Sequence, residues 1–410
     1  MKFDEYPIAP VIKKNLGKKG FEKPTDIQFK AIPHILRGED VLAIAQTGTG
    51  KTAAFAIPII HLLQERKHSR TPDQIRCVVL VPTRELAIQI NDVFMSLAQQ
   101  TGVRSTAIFG GVEQNPQIAR LVQGVDIIVT TPGRMFDLRS QGHIVLERVD
   151  MLVLDEADHM LKLGFLKDIQ DLIKYLPKRR QTLFFSATIN EEIKQLAYSL
   201  VNKPVRIQIS PKDPVSKNVD HFVVMVNMDD KRFFLEYLIK QHPESKILVF
   251  VRTKVRAERV VKALERVGIL SQAIHGGKEQ SERFTVLRDF MKGAFHVMVA
   301  TDVSARGIDI PHVNYVVNYD LPEQLENYVH RVGRTGRGQN RGTAVAFCDE
   351  EEKGLLKEIE DYLGKPVEKM WLEKDQYDQI IESSPEAGHN WKQLLREAEE
   401  TESKRKKKKK

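Results

Sequence analysis

Cysteine and long apolar stretches are what this sequence has least of. Its 410 residues include two cysteines, Cys77 and Cys348, which lie far apart in the chain. Zinc sites and disulfide frameworks require clustered cysteines, so we predict neither and expect two buried thiols in a reducing compartment. No segment approaches the roughly 18 uninterrupted apolar residues of a membrane-spanning helix, and the N-terminal MKFDEYPIAP has no apolar signal core. We therefore expect a cytoplasmic protein.

Excess positive charge is scarce outside one segment. The formal net charge is +8, and the tail KRKKKKK (Lys404–Lys410) supplies +7 of it. Because the rest of the chain is nearly neutral, a surface for a polyanion would have to be a local patch. The tail itself is predicted to be disordered, since it has no apolar residue with which to pack.

Short β-branched runs alternate with longer helical patterns along the chain, which is typical of an α/β fold with parallel sheets. Ligands of such sheets bind outside the carboxyl ends of the strands, so polar motifs at those ends are predicted to face one site. Five runs of the first half end at AQTGTGKT (45–52), PTRELA (82–87), TPGR (131–134), DEAD (155–158) and SAT (186–188). Runs of the second half end at VFVRT (249–253), HGG (275–277), TD (301–302) and YD (319–320).

A proline-containing segment separates the two series of strands. SPKDPVSKN (Ser210–Asn218) has two prolines and no apolar periodicity, which indicates a linker. We predict a first domain over residues 1–209, a linker over 210–217 and a second domain over 218–370. Residues 371–410 are predicted to be a polar extension ending in the basic tail, with a short amphipathic helix around Trp391.

The segment AQTGTGKT matches the phosphate-loop pattern, and it follows a predicted strand and precedes a predicted helix. Its glycines would let backbone N–H groups approach phosphate oxygens at a helix N-terminus. Lys51 would reach the β- and γ-phosphates of a nucleotide, and the Thr52 hydroxyl would ligate Mg²⁺. The alternative is a glycine-rich turn with no ligand.

Two adjacent carboxylates in the DEAD segment fit the second half of such a site. Asp155 would hold Mg²⁺, as the acidic residue at a strand end does in phosphate-loop enzymes. Glu156 is the candidate to position and deprotonate an attacking water. The alternative is a solvated acidic turn.

Taken in order, these motifs resemble those of the DEAD-box ATP-dependent RNA helicases of superfamily 2, which implies two tandem RecA-like domains. Each would be a mostly parallel sheet flanked by helices. The resemblance covers about residues 1–370. GGVEQNPQ (110–117) and VFVRTK (249–254) are most similar to the bacterial RhlE-type branch. Further matching segments are the Q motif around Phe3, Phe21, Pro24, Thr25 and Gln28, then Gln280 to Arg283, ATDVSARGIDI (300–310) and HRVGRTGR (330–337).

The resemblance implies how ATP is recognised. Gln28 would read the adenine edge, Phe21 would stack on the ring, and Asp309 would accept from the ribose. Asp26 stands where the family usually has a proline, but Gln28 is in place. The complete predicted ATP site is Phe21, Gln28, Ala45, Gln46, Thr47, Gly48, Thr49, Gly50, Lys51, Thr52 and Asp309.

The resemblance also assigns RNA contacts to small hydroxyl residues, glycines and scattered arginines. Such groups suit a sugar-phosphate track, which positions a strand without identifying its bases. The motifs contain no aromatic platform, so little sequence preference is expected. The predicted residues are Pro82, Thr83, Arg84, Gly111, Thr131, Gly133 and Arg134 in the first domain, and Thr253, Gly276, Gln280, Arg283 and Thr301 in the second. For Arg84 and Arg134 a surface salt bridge is the alternative.

Coupling between the domains is implied for a third set of residues. Ser186 and Thr188 would connect Asp158 to His330, and Arg331 would belong to the same network. Arg334 and Arg337 would reach the γ-phosphate when the domains close, and would stabilise the charge that develops during hydrolysis.

The expected activity is RNA-stimulated ATP hydrolysis coupled to local, non-processive unwinding of short RNA duplexes. ATP and Mg²⁺ are the expected cofactors, and single-stranded and duplex RNA the expected partners of a monomer. Two alternatives stay open: an ATP-gated RNA clamp or assembly scaffold, and a DNA helicase, which would tolerate loss of the 2′-hydroxyls. The basic tail would add RNA affinity by counterion release, or would only solubilise the chain.

Overall fold

The chain folds into two compact units that follow one another in sequence. The computed structural model describes residues 2–46, 48–65, 74–209, 218–302, 310–336 and 341–387. The first unit contains the described residues up to 209, and the second contains those from 218 onwards. The predicted linker, residues 210–217, lies outside the described residues.

The first unit is built on a seven-stranded sheet flanked by helices. The sheet order is β3-β4-β2-β5-β6-β1-β7, and every pairing between neighbours is parallel. Its strands are β1 (Val41–Ala45), β2 (Cys77–Leu80), β3 (Ser105–Ile108), β4 (Ile127–Thr130), β5 (Met151–Leu154), β6 (Gln181–Ser186) and β7 (Val205–Ile209). Its α-helices are α1 (Pro10–Lys18), α2 (Asp26–Leu36), α3 (Lys51–Glu65), α4 (Arg84–Leu97), α5 (Asn115–Val122), α6 (Pro132–Ser140), α7 (Ala157–Lys162), α8 (Leu166–Tyr175) and α9 (Glu191–Leu200).

Burial on both faces of this sheet explains the continuous apolar runs in the sequence. Every residue of β1, β2, β4 and β5 is buried, because helices cover both faces of a parallel sheet. Strand β1, which lies between β6 and the edge strand β7, is held in register on two sides, with Val41 opposite Leu183 of β6 and Val205 of β7. Because the strands are parallel, the polar motifs that follow them lie at the same edge of the sheet.

The second unit repeats this arrangement. The sheet order is β10-β11-β9-β12-β13-β8-β14, again with parallel pairings throughout. Renumbered from its own first strand, the order is the same as in the first unit. Its strands are β8 (Val219–Met225), β9 (Ile247–Phe250), β10 (Ser271–Ile274), β11 (Val297–Ala300), β12 (Tyr315–Asn318), β13 (Gly342–Cys348) and β14 (Glu368–Met370). The described α-helices are α10 (Lys231–Gln241), α11 (Lys254–Arg266), α12 (Gln280–Lys292), α13 (Leu325–Val332), α14 (Lys353–Leu363) and α15 (Lys374–Glu382).

The helix α15 lies in the segment that was predicted to be a polar extension. Ile380 is buried in the core of the second unit. The ring of Tyr377 lies 4.8 Å from that of Phe234, and its hydroxyl donates to Asp230 at 2.8 Å. The compact second unit therefore continues past residue 370, through at least the helix. The amphipathic helix predicted around Trp391 and the basic tail lie outside the described residues.

Both cysteines are buried, as expected, in β2 and β13. Burial raises the pKa of the Cys348 thiol to about 11 and raises that of Cys77 further. Within the described ranges, none of the helices has the length and apolar character needed to cross a membrane.

Candidate functional site

The phosphate loop of the first unit connects β1 to α3. β1 ends at Ala45, and α3 begins at Lys51. Gly48 and Gly50 have φ angles of 83° and 92°, in the left-handed region that glycine adopts without strain. The Thr49 hydroxyl donates to the Gln46 carbonyl at 2.8 Å and fixes the turn. Thr47, the remaining predicted residue of the loop, lies outside the described residues.

Lys51 is buried at the mouth of this loop. Its Nζ atom lies 3.9 Å from Oδ1 of Asp155, and it has no hydrogen-bond partner among the described residues. A buried ammonium ordinarily has hydrogen-bond acceptors, so an orphaned one marks a place where a ligand can supply them. The phosphate oxygens of a nucleotide at this loop are such acceptors.

The carboxylates of the DEAD segment lie beside this lysine. Asp155 follows β5, and burial raises its pKa to about 6, although Lys51 acts in the opposite direction. Glu156 adopts a left-handed backbone with φ 53°, and its N–H donates to Asp155 Oδ1 at 3.0 Å. His159 Nδ1 lies 3.5 Å from Glu156 Oε2. An αL conformation at a glutamate is uncommon, and here it allows α7 to begin directly after the strand.

The predicted adenine-recognition segment packs against the phosphate loop. The Gln28 amide accepts from the Thr25 N–H at 3.0 Å and donates through Nε2 to the Gly50 carbonyl at 3.1 Å. The Thr25 hydroxyl donates to the Thr49 carbonyl at 2.7 Å. A Cβ on Gly50 would lie 2.5 Å from Gln28 Nε2 and would have to displace the amide, so this position favours glycine. Each end of the Gln28 amide keeps one further hydrogen-bonding position for a ligand.

Two other features of this segment bear on the sequence predictions. Phe21 is 40% exposed, which favours an aromatic surface for a ligand over simple core packing. Asp26, which replaces the usual proline, is the first residue of α2. An acidic residue at a helix N-terminus is favourable because of the helix dipole, so the departure leaves Gln28 correctly placed.

The SAT segment contacts the DEAD segment within the first unit. Thr188 Oγ1 donates to Asp158 Oδ2 at 3.2 Å, and the Ala187 N–H donates to Asp158 Oδ1 at 3.4 Å. The Ser186 hydroxyl donates to the Thr188 carbonyl at 2.7 Å. The predicted coupling residues of this unit therefore contact one another directly, and their coupling role stays a prediction.

Three of the predicted RNA-contacting segments also come together in the first unit. The Arg84 guanidinium packs over Gly110 and Gly111, and a Cβ on Gly111 would overlap it. Arg134 donates through NH2 to the Val112 carbonyl at 3.0 Å. Arg134 Nε also lies 3.5 Å from Asp137, so the predicted salt-bridge alternative is present beside the loop contact.

The hydroxyl residues among these predictions stand at helix N-termini. Thr83 caps α4 by accepting from the Leu86 N–H at 3.3 Å, directly after Pro82. Thr131 occupies the same position before α6, and Gly133 in the first turn has open space around it. Helix N-termini offer unpaired N–H groups to anions, and these two belong to adjacent segments of one sheet edge.

The second unit presents a comparable set at its own sheet edge. Thr253 caps α11 by accepting from the Arg256 N–H at 3.1 Å. Gln280 is buried in the first turn of α12 and accepts from Arg283 NH1 at 3.2 Å. Gly276 is exposed and follows β10, and the Thr301 N–H donates to the Ile274 carbonyl at 3.3 Å beside it.

The Arg331 side chain is buried and forms its hydrogen bonds inside the second unit. Nε and NH2 donate to the two carboxylate oxygens of Asp302 at 2.6 and 2.8 Å. NH1 donates to the Asp320 carbonyl at 2.7 Å and to Asn318 at 3.2 Å, and the guanidinium lies over the Phe250 ring. The sequence did not indicate these partners, and a coupling role for Arg331 would have to act through them.

Arg334 is also buried, and its Nε donates to the His330 carbonyl at 3.0 Å. It follows α13, whose last turn contains His330 and Arg331. Two further predicted residues, Arg337 and Asp309, lie outside the described residues.

Comparisons with known proteins identify the class to which this architecture belongs. A family model described as DEAD/DEAH box helicase matches residues 25–196, and one described as helicase conserved C-terminal domain matches residues 230–339. A structure of S. cerevisiae Dbp5 bound to RNA and ADP BeF3 superposes with a TM-score of 0.80 and 32% identity, covering 92% of this chain and 97% of that one. The two units are thus tandem RecA-like domains, as predicted.

Sequence identity to known relatives identifies the family within this class. The chain is 40% identical to an ATP-dependent RNA helicase CshA of Listeria monocytogenes, over 90% of this chain and 70% of the relative. It is 37% identical to an ATP-dependent RNA helicase DbpA of Bacillus subtilis, over 94% and 79% respectively. The chain belongs to the DEAD-box RNA helicase family.

Proposed function

We propose that this protein is an RNA-stimulated ATPase that uses ATP to bind RNA and to separate short duplexes. The observation that carries the proposal is the buried Lys51 ammonium, orphaned beside Asp155 at a glycine-rich turn. A nucleotide triphosphate supplies the acceptors that this cation lacks. The relatives' described activities and the RNA-bound structural neighbour support RNA as the partner.

The donor set at the loop fits Mg²⁺, the metal that ATP hydrolysis ordinarily employs. Thr52 provides a hydroxyl in the first turn of α3, and Asp155 provides a buried carboxylate. Burial raises the pKa of Asp155 despite the nearby Lys51, so a bound cation would stabilise its charged form. Magnesium bound with a nucleotide is ordinarily held by one or two protein oxygens together with phosphates and water, and Thr52 and Asp155 offer two such oxygens. When bound, the ion would neutralise phosphate charge and polarise the γ-phosphate.

Side chains of the first unit supply the remaining ATP chemistry. Gln28 and Phe21 would bind the adenine, and Lys51 would hold the β- and γ-phosphates. Glu156 would orient the attacking water and accept its proton. Its left-handed backbone and its contact with His159 hold it at the end of the sheet beside Asp155.

RNA would bind along the sheet edges through the capped helix N-termini, the glycine loops and the arginines. Groups of this kind contact phosphates and sugars, so binding without sequence preference is expected. ATP and RNA would each engage both domains, so each ligand would favour the state that binds the other. Closure of the two domains would bring Arg334 and Arg337 to the γ-phosphate. It would also bend the bound strand of an RNA duplex and expel the complementary strand locally. Unwinding would then be non-processive, by a monomer.

Turnover of ATP tests the proposal. The intact chain should hydrolyse ATP slowly alone and at least several-fold faster with structured RNA, whereas DNA of matched sequence should stimulate little. Equal stimulation by DNA would favour the DNA-helicase alternative, and no stimulation by either would remove the proposal.

An RNA clamp or assembly scaffold is the second candidate, because it needs the same ATP and RNA groups. A strand-release assay under multiple turnovers distinguishes the two. A helicase releases the displaced strand repeatedly, whereas a clamp stays bound for long periods with a non-hydrolysable ATP analogue.

Three finer expectations remain part of this proposal. GGVEQNPQ and VFVRTK support the RhlE-type branch. The cytoplasm is the proposed location. The basic tail would raise RNA affinity, so its removal should flatten the salt dependence of RNA binding.

A further inference from the structure

The loop after β10 is organised by a buried histidine that has no role in the proposal above. His275 follows β10 directly and is buried, whereas Gly276 and Gly277, which come next, are exposed. A Cβ on Gly276 would meet nothing within 4 Å. The loop therefore offers exposed backbone to a ligand while its first side chain is enclosed.

Both ring nitrogens of His275 have hydrogen-bond partners, and these partners determine which nitrogen carries the hydrogen. The Gly277 N–H donates to Nδ1 at 3.1 Å, and Nε2 lies 2.8 Å from Oε1 of Glu258 on α11. A backbone N–H can only donate, so Nδ1 must be the acceptor. Nε2 must then carry the proton and donate a hydrogen bond to Glu258. The neutral Nε2–H tautomer satisfies both contacts.

These contacts tie the loop to two elements. The Lys278 N–H donates to the His275 carbonyl at 3.1 Å, which closes the turn before α12. Lys278 pairs with Glu282 in the first turn of α12 and lies 3.7 Å from Glu258. The His275 ring thus holds the Gly276–Gly277 peptide between α11 and α12.

We propose that His275 is a positioning residue for RNA, which holds the Gly276–Gly277 backbone in place for a phosphate through the Nδ1 contact with the Gly277 N–H. The inference rests on the proposed function, since it assigns a cause to the RNA contact expected of Gly276. The ring is enclosed and both of its nitrogens are occupied, so it acts through the loop and not on RNA directly.

Two amide substitutions separate the roles of the two ring nitrogens. His275→Asn places an amide oxygen near the position of Nδ1 and keeps an acceptor for the Gly277 N–H. His275→Gln places an amide nitrogen near Nε2 and keeps the donor to Glu258 but loses the acceptor. The measurement is the RNA concentration for half-maximal ATPase stimulation with a uridine homopolymer, alongside kcat and KM for ATP and the unfolding temperature.

We expect His275→Gln to raise the half-maximal RNA concentration about three- to tenfold, the effect of losing one net hydrogen bond. The maximal rate and KM for ATP should be unchanged, and His275→Asn should stay within about twofold of wild type on RNA. Equal RNA values for the two variants, or a change in unfolding temperature alone, would overturn the inference.

Gly277→Ala provides a test that leaves the histidine intact. Its Cβ would lie 3.2 Å from Nδ1 and 3.3 Å from Cε1, so the loop must move away from the ring. We expect weaker RNA stimulation from this exposed position and an unchanged unfolding temperature; wild-type RNA stimulation would contradict the inference. A wild-type enzyme that RNA fails to stimulate would instead refute the proposed function itself.

Discussion

The Nζ atom of Lys51 lies 3.9 Å from Oδ1 of Asp155, and both groups are buried. This pair joins the phosphate loop to the DEAD segment before any ligand is bound. The distance is longer than that of a strong hydrogen bond, which leaves the ammonium able to turn toward phosphate.

Lys51→Met removes the cation and keeps an unbranched side chain that is one atom shorter. We expect ATP hydrolysis to fall by about 10²-fold or more, because a preorganised charge at the transferring phosphate is lost. Steady-state phosphate release measures this. Lys30→Met, on the exposed face of α2, is the control and should leave the rate unchanged. A Lys51 variant that retains most of its activity would place the nucleotide elsewhere.

Gln28→Glu keeps the acceptor for the Thr25 N–H but loses the donor to the Gly50 carbonyl. A carboxylate would then face a carbonyl oxygen, so the phosphate loop should be displaced. We expect KM for ATP to rise about tenfold, with a lower unfolding temperature. Gln99→Glu introduces the same charge at an exposed position and should be neutral. An unchanged KM would mean that the Gln28 contact does not shape the nucleotide site.

Gly111→Ala tests the contact between Arg84 and the glycine loop. Both Gly111 and Gly142 have left-handed φ angles, 76° and 82°, so alanine introduces similar backbone strain at either position. Only at Gly111 would the new Cβ overlap a guanidinium, whereas at Gly142 it would meet open space. We therefore expect weaker RNA binding, by about tenfold, for Gly111→Ala and near-normal binding for Gly142→Ala. Fluorescence anisotropy with labelled RNA measures both, and equal affinities would exclude a role for Arg84.

Arg331→Met should affect stability more than any single contact would suggest. The substitution leaves Asp302 without its bidentate partner and Asn318 without a donor. We expect a loss of about 3 kcal/mol in the free energy of unfolding, the usual effect of breaking a largely buried ion pair. Urea denaturation gives the value, and exposed Arg341→Met serves as the control. Normal stability with lost ATPase would argue instead for a direct catalytic contact.

Arg334→Ala should separate binding from hydrolysis. An arginine that stabilises the transition-state charge of phosphoryl transfer contributes about 10³-fold or more to the rate. We expect hydrolysis to fall by at least this order while the affinity for a fluorescent ATP analogue stays within about threefold. Arg341→Ala, at an exposed position of the same unit, should leave both unchanged. Equal losses in affinity and rate would contradict the proposed role.

Most of the strands that the sequence predicted have continuous apolar runs, such as Val41–Ala45 and Ile247–Phe250. Strands β3, β7, β8 and β14 were not anticipated, because polar residues occupy much of them: β3 is STAI, β7 is VRIQI and β14 is EKM. The helix α15 was missed for a related reason. Only Tyr377, Ile380 and Ile381 provide an apolar pattern among nine mostly polar residues, and tertiary packing on Phe234 decides the structure.

In the site, motif spacing identified the residues but not their partners. The phosphate loop, the carboxylates and the capped helix starts follow from local pattern. The hydrogen bonds of Arg331 join residues up to 29 positions apart, and no local pattern encodes them. The contact between Gln28 and Gly50 had a partial signal, since threonine followed three residues later by glutamine is a capping-box pattern.

The last strand of the second sheet also has a consequence for the behaviour of the protein in concentrated solution. β14 lies at the sheet margin, is only three residues long, and all three are exposed. An open margin can recruit strands from other molecules and start aggregation. Glu368 and Lys369 put charge on this short strand, which discourages such recruitment. We therefore expect strand addition at this margin to be disfavoured, although the neighbouring Trp371 is largely exposed.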